Sequence, residues 1–211
     1  GIGSTALEAN TTGQQNTAVG SRVLPDNTTG TGNVGMGEAT LFVNTTGDHN
    51  IGIGLGALQN SNSDDNVALG YRAMHNVTSG ADNVAVGSDA LFTNTSASNN
   101  VALGVHALRL NTTGASNTAV GANALDANTT GASNVAVGVH ALSANTTGAG
   151  NIGIGVSSLR ANTTAGEVTG VGDGCLAANT SGALNTAFGA QTLAACTTGS
   201  SNVAIGGYAL N

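Results

Sequence analysis

The chain has 211 residues, a mass of 20.2 kDa and a net charge of −7, with only 7% of its residues charged. Its four basic residues, Arg22, Arg72, Arg109 and Arg160, are scattered, so it carries no electrostatic footprint for nucleic acid or for an anionic membrane. Five aromatics and no Trp against 33 Gly and 26 Asn exclude an ordinary globular core, and no apolar run approaches the ~18 residues of a membrane helix.

The apolar residues are regularly placed, which argues against disorder. They recur every 17 residues: Thr17 to Asn33, Val34 to Asn50, Thr118 to Asn134 and Val135 to Asn151 align without gaps. Thirteen blocks cover the chain; the first lacks its opening residue, the fourth (51–66) is one residue short, and the last stops after nine. The common pattern is [V/T/I]-[A/G]-[V/I/L]-G-x-x-A-L-x-x-N-T-T-G-x-x-N. Position 4 is Gly in all thirteen blocks, position 8 is Leu in twelve with Met74 the exception, and position 17 is Asn except at Val168.

Taken in order along one block, positions 1 to 3 alternate as a short strand and are closed by Gly. The A-L pair at positions 7 and 8 reads as a second short strand, and N-T-T-G at 11 to 14 reads as a turn. The unit is too short for a helical hairpin repeat and too rich in Gly for any helix. Two strands and two turns make one coil of a parallel β-solenoid or β-roll, so the chain is expected to be all-β: a single array, 1–211, of about twelve coils. At ~4.8 Å per coil it forms a rod roughly 60 Å long. Asn at positions 11 and 17 would then stack into internal amide ladders.

Position 2 is Ala or Gly in every block, whereas positions 1 and 3 are Val, Ile, Leu, Met, Phe or Thr in the strands. The alternation puts positions 1 and 3 on one face, read as the core, and position 2 on the other. A face that never holds a polar residue is not a solvent face, and a narrow coil has nothing left to cover it. Packing of these small-residue faces in a homotrimer supplies the missing layer; a solenoid closed within one chain is the other arrangement.

The strands Val84-Ala-Val-Gly87 and Val203-Ala-Ile-Gly206, each preceded by Asn, resemble the coils of trimeric autotransporter adhesin heads. The longer unit from Asn117 to Gly131 is similar to the repeat arrays of bacterial and phage tail-fibre-like proteins. The resemblance implies a left-handed, trimeric β-roll serving as a structural or adhesive fibre segment in an extracellular appendage, on a cell surface or virion. The 17-residue unit is longer than the adhesin-head coil, and no coiled-coil stalk or membrane anchor is expected within residues 1–211. Neither end reads as a polar cap, so a segment of a longer array, or a unit stacking end to end into a filament, is expected.

Chemistry is sparse. Cys175 and Cys196 sit at different repeat positions, 7 and 11, and read as a small core residue and a substituted turn Asn. His106 and His140 share position 6 two coils apart, roughly 10 Å, too far to meet on one ion; no metal or cofactor is expected. The acids are dispersed, so the paired carboxylates of a polysaccharide-cleaving solenoid are missing and no enzyme is expected. Ten N-x-[S/T] sequons, at Asn10, Asn27, Asn44, Asn76, Asn94, Asn111, Asn128, Asn145, Asn162 and Asn179, could carry glycans, or their Asn could form the ladder instead. The expected partner is the chain itself, with a cell-surface glycan meeting variable positions 5, 6, 9, 10, 15 and 16. The alternative function is a single-chain solenoid binding a surface polymer or ice through Thr at positions 12 and 13.

Overall fold

Positions 1 to 3 of each coil are extended, and the Gly at position 4 ends the strand by taking φ from +116° to +145° in all thirteen blocks, a region closed to L side chains. The computed structural model describes all 211 residues. It contains twelve three-residue strands: β1 (Thr17–Val19), β2 (Val34–Met36), β3 (Ile51–Ile53), β4 (Val67–Leu69), β5 (Val84–Val86), β6 (Val101–Leu103), β7 (Thr118–Val120), β8 (Val135–Val137), β9 (Ile152–Ile154), β10 (Thr169–Val171), β11 (Thr186–Phe188) and β12 (Val203–Ile205). They pair in parallel in chain order as one sheet, each residue opposite its equivalent in the next coil, as in Val84↔Val101 and Ala85↔Ala102. The molecule is a β-solenoid of stacked 17-residue coils.

The expected second strand at the A-L pair is absent. Positions 6 and 8 both take left-handed backbone, Arg22 at φ 55° and Leu24 at φ 48° in one coil, His106 at 58° and Leu108 at 52° in another. Residues 7 and 8 of a strand would point to opposite sides. Here Ala107 and Leu108 are both fully buried, as are Ala124 and Leu125, because the left-handed Leu turns its side chain inward beside its neighbour. The conformation costs a bulky residue about 1–2 kcal/mol. It is offset by burial of the whole Leu side chain, about 1.5–3 kcal/mol, and by a retained inter-coil bond: Leu108 N–H donates to the Ala124 carbonyl at 3.0 Å.

The two faces of the sheet are the reverse of the sequence expectation. Position 2 is the inward one: Ala68, Ala85, Ala102, Ala119 and Ala136 are fully buried, against the position-7 and position-8 rows of the same chain. It is small because the coil is narrow. At Val23, Thr40 and Ser158, where position 7 is enlarged, the residue twelve later is Gly, though Ala follows Cys175 and Thr192. A Cβ on Gly35 would lie 2.4 Å from Val23 Cγ1, and one on Gly52 2.6 Å from Thr40 Cγ2. The Ala/Gly face is therefore closed within the chain and is not an intermolecular seam. Positions 1 and 3 point outward.

The amide ladders form as expected. At position 11, Asn128 Nδ2 donates to Asn111 Oδ1 at 2.8 Å and to the Gly131 carbonyl at 2.9 Å. At position 17, the Asn134 backbone N–H donates to Asn117 Oδ1 at 2.9 Å, while Asn134 Nδ2 reaches that oxygen at 3.1 Å and the Gly148 carbonyl of the next coil at 2.9 Å. The short fourth block is repaired by one side chain. In regular coils the position-12 carbonyl accepts from positions 12 and 13 of the preceding coil, as Thr146 O does from Thr129 and Thr130. With that residue deleted, Asn62 Oδ1 takes its place, accepting from Thr45 N–H at 2.9 Å and Thr46 N–H at 3.0 Å.

Candidate functional site

The outward face of the sheet is the largest unexplained surface. Every β strand contributes two outward side chains, positions 1 and 3, and none of the 24 is charged. Val86, Leu103, Ile154, Phe188 and Met36 are 36–46% exposed. Position 5, just past the Gly, widens the stripe with Leu55, Tyr71, Val105, Val139 and Val156, each 43–52% exposed. Eleven steps of ~4.8 Å and a width of roughly 10 Å give on the order of 550 Å² of uncharged, mostly apolar surface, interrupted by Thr17, Thr118, Thr169 and Thr186. A lone soluble domain rarely leaves a patch of that size uncovered without a use for it.

One flank carries most of the larger polar and aromatic side chains, brought together by positions 6 and 9 of successive coils. Arg22 pairs with Glu38 at 2.6 Å, Arg72 with Asp89 at 2.9 Å, and Arg109 with Asp126 at 2.8 Å. The hydrogen bond to Asp126 raises the Arg109 guanidinium above its ordinary value, against partial desolvation. Arg72 lies over the rings of Tyr71 and Phe92, at 4.7 and 4.9 Å from their centroids, and His75 stacks on Phe92 at 5.3 Å. The ring faces and charges are thus spent on one another, and the surface holds no concave pocket. This stretch of the flank is a packed side-chain ladder.

The sequence-singled residues fall as follows. No group of three or more His, Cys, Asp or Glu side chains converges on a point. His106 approaches Asp89 at 3.8 Å, and His140 is exposed. Cys175 is buried, Cys196 is half-buried and both are free thiols. Of the sequon asparagines, Asn27, Asn44, Asn94, Asn111, Asn128, Asn145, Asn162 and Asn179 are fully buried, and each donates Nδ2 to a backbone carbonyl of its own turn. Asn10 is half-buried and donates to the Gly13 carbonyl at 3.0 Å. Asn76 differs: it stands at position 10, because Val77 occupies the core position of that coil, fully buried.

Thr at position 12 spends its hydroxyl proton on the next coil, as Thr129 Oγ1 does on the Thr146 carbonyl at 3.0 Å. Thr at position 13, as in Thr113, Thr130, Thr147 and Thr164, is exposed. Both positions lie on the surface because the turn does not alternate as a strand would. No helix of the chain is long and apolar enough to cross a membrane. Comparison with known protein families, with characterised proteins and with solved structures finds no match.

Proposed function

We propose that this chain is a segment of a stiff extracellular fibre, of the tail-fibre or adhesin-shaft kind, in which three copies pack through their outward sheet faces. The single observation that carries the reading is the uncharged stripe, mostly Val, Ile and Leu with four Thr, running along all twelve strands. A second copy suits it better than an unrelated partner. Two such stripes share the same coil repeat, so side chains that interdigitate in one coil do so in every coil, and the area is of the order of one side of a standard interface, ~800 Å². The fibre role follows from stacking: each coil is bonded to both neighbours, and few long or charged side chains are offered to proteases.

The test is the native mass by sedimentation equilibrium or light scattering. About three times 20.2 kDa is expected, and the triple variant V86K/L103K/V137K is expected to run as a monomer with an unchanged far-ultraviolet spectrum, since all three side chains point outward. A monomeric wild-type chain would sink the assembly. The exposed row of position-13 hydroxyls favours a second reading, a single-chain solenoid that binds ice or a surface polymer. Thermal hysteresis tests the ice form, and a zero value ends it.

A further inference from the structure

We propose that Asn76 is a glycan acceptor of this chain, the one sequon whose Asn lies off the position-11 ladder and makes no hydrogen bond through Nδ2. The argument rests on repeat register. In the other nine sequons Asn holds position 11, where its Nδ2 is tied into the turn: Asn145 Nδ2 donates to Asn128 Oδ1 at 2.9 Å and to the Gly148 carbonyl at 3.0 Å. Both amide protons are used in six of the nine, Asn27, Asn44, Asn128, Asn145, Asn162 and Asn179, while Asn10, Asn94 and Asn111 use one on the carbonyl of their own turn. In eight of the nine the side chain is fully buried. A sugar on that nitrogen would remove one proton and require a channel to solvent that the coil does not have.

The fifth block (67–83) keeps its 17 residues but breaks the pattern by placing Val77 at position 11. Its Asn is thereby shifted one residue toward the N-terminus and leaves the core. The Asn76 amide oxygen is engaged, accepting from Asn60 Nδ2 at 3.0 Å and facing His75 Nδ1 at 2.9 Å. Its Nδ2 makes no hydrogen bond and reaches solvent. The two contacts to the oxygen orient the amide plane and leave the nitrogen without a protein partner, and the third sequon residue, Thr78, is exposed. Position 10 also lies outside the sheet face, so a sugar there does not obstruct copies packing on positions 1 and 3.

The reaction is transfer from a lipid-linked oligosaccharide diphosphate. A bond forms between Nδ2 and the anomeric carbon, the bond from that carbon to the diphosphate oxygen breaks, the lipid diphosphate departs with the electron pair, and the amide loses one proton. The proposal stands apart from the fibre reading, because a monomeric solenoid presents Asn76 in the same way.

The experiment is secretion of the whole chain from a eukaryotic host containing oligosaccharyltransferase, with glycopeptide mapping of the protease-resistant, folded fraction. The expected result is a glycan on Asn76 and on none of the eight buried asparagines, and for Thr78→Ala an intact mass equal to that of the unmodified chain. An unmodified Asn76 in the folded fraction, or a glycan on Asn128 or any other buried sequon, overturns it. If transfer to the nascent chain traps the wild type unfolded, replacing position-13 Thr or Ser by Ala, as in Thr113→Ala and Thr130→Ala, removes the buried sequons without touching the ladder. The secreted variant is then expected to be modified at Asn76 alone, and its absence of modification refutes the proposal equally. Native mass is read separately on the same samples, so failure of assembly and failure of modification are told apart.

Discussion

Replacing Asn128 by Ala is expected to cost about 4 kcal/mol. The side chain donates to Asn111 Oδ1 at 2.8 Å and to the Gly131 carbonyl at 2.9 Å, and it accepts from Asn145 Nδ2 at 2.9 Å. Two of these partners are unequally affected. The Gly131 carbonyl keeps a bond from Asn117 Nδ2 at 2.8 Å, and Asn145 Nδ2 keeps the Gly148 carbonyl at 3.0 Å. What is stranded is the Asn111 amide oxygen and one Asn145 proton, both in residues with no solvent exposure. At about 1–3 kcal/mol for each buried polar group left unpaired, the sum is roughly 2–6 kcal/mol. The assay is guanidinium denaturation followed by circular dichroism at fixed protein concentration. Stacked repeats can unfold in stretches, so hydrogen exchange at Leu125 and Leu142, whose amides donate to the Ala141 and Ser158 carbonyls, gives the local reading. Thr130→Ala, on an exposed neighbour, serves as control and should stay within about 0.5 kcal/mol of wild type. A loss below about 1 kcal/mol for N128A would refute the claim that the ladder holds the coils together.

Three further outcomes follow from the same geometry. Gly104→Ala places a Cβ 2.6 Å from the Gly121 carbonyl at φ +145°, whereas Gly206, at φ +116°, has nothing within 4 Å; denaturation midpoints should show G104A losing more than about 3 kcal/mol and G206A about 1. Cys196→Asn should gain about 1 kcal/mol in the same assay, because it offers a donor to Asn179 Oδ1, which is buried without a partner. Burial pushes the Cys175 thiol above its ordinary range, so alkylation of the native protein near pH 8, read by mass, should modify Cys196 and leave Cys175 untouched until the chain is unfolded.

The repeat length, the parallel sheet and both Asn ladders were legible because each rests on residues that recur in nearly every coil. The face assignment was misread for a physical reason. Invariantly small residues mark close approach, and close approach arises equally between chains and inside a narrow coil. The discriminating signal was present: Val23 is followed twelve residues later by Gly35, Thr40 by Gly52 and Ser158 by Gly170, where every buried position-2 Ala follows a smaller or unbranched partner except at Thr192 in the terminal coil. Size compensation between positions 7 and 2 shows that they touch within one chain. The left-handed Leu was not legible, since Leu has no preference for that conformation and adopts it only because the coil rewards burial of two consecutive side chains. Asn62 as a surrogate carbonyl was likewise hidden, because a one-residue gap in a turn does not reveal which neighbour fills it.

The position-11 ladder breaks at Cys196 and in two adjacent coils, at Ser61 and Val77, where Asn44 Oδ1 ends one ladder without a donor. The same coils are bound on the outside instead. Gln59 meets His75 Nε2 at 3.0 Å, Asn60 reaches Asn76, His75 stacks on Phe92, and Arg72 is held between two rings and Asp89. From Ala127 onward position 10 is Ala, at Ala127, Ala144, Ala161, Ala178 and Ala195, while the Arg22–Glu38 and Arg109–Asp126 pairs lie on coils whose interior ladder is intact. The aromatic cluster therefore coincides with the irregular coils, and that irregularity is also what frees the Asn76 nitrogen. On this solenoid the aromatic surface cluster arises where the core departs from its rule, while the uncharged sheet face is common to all twelve strands.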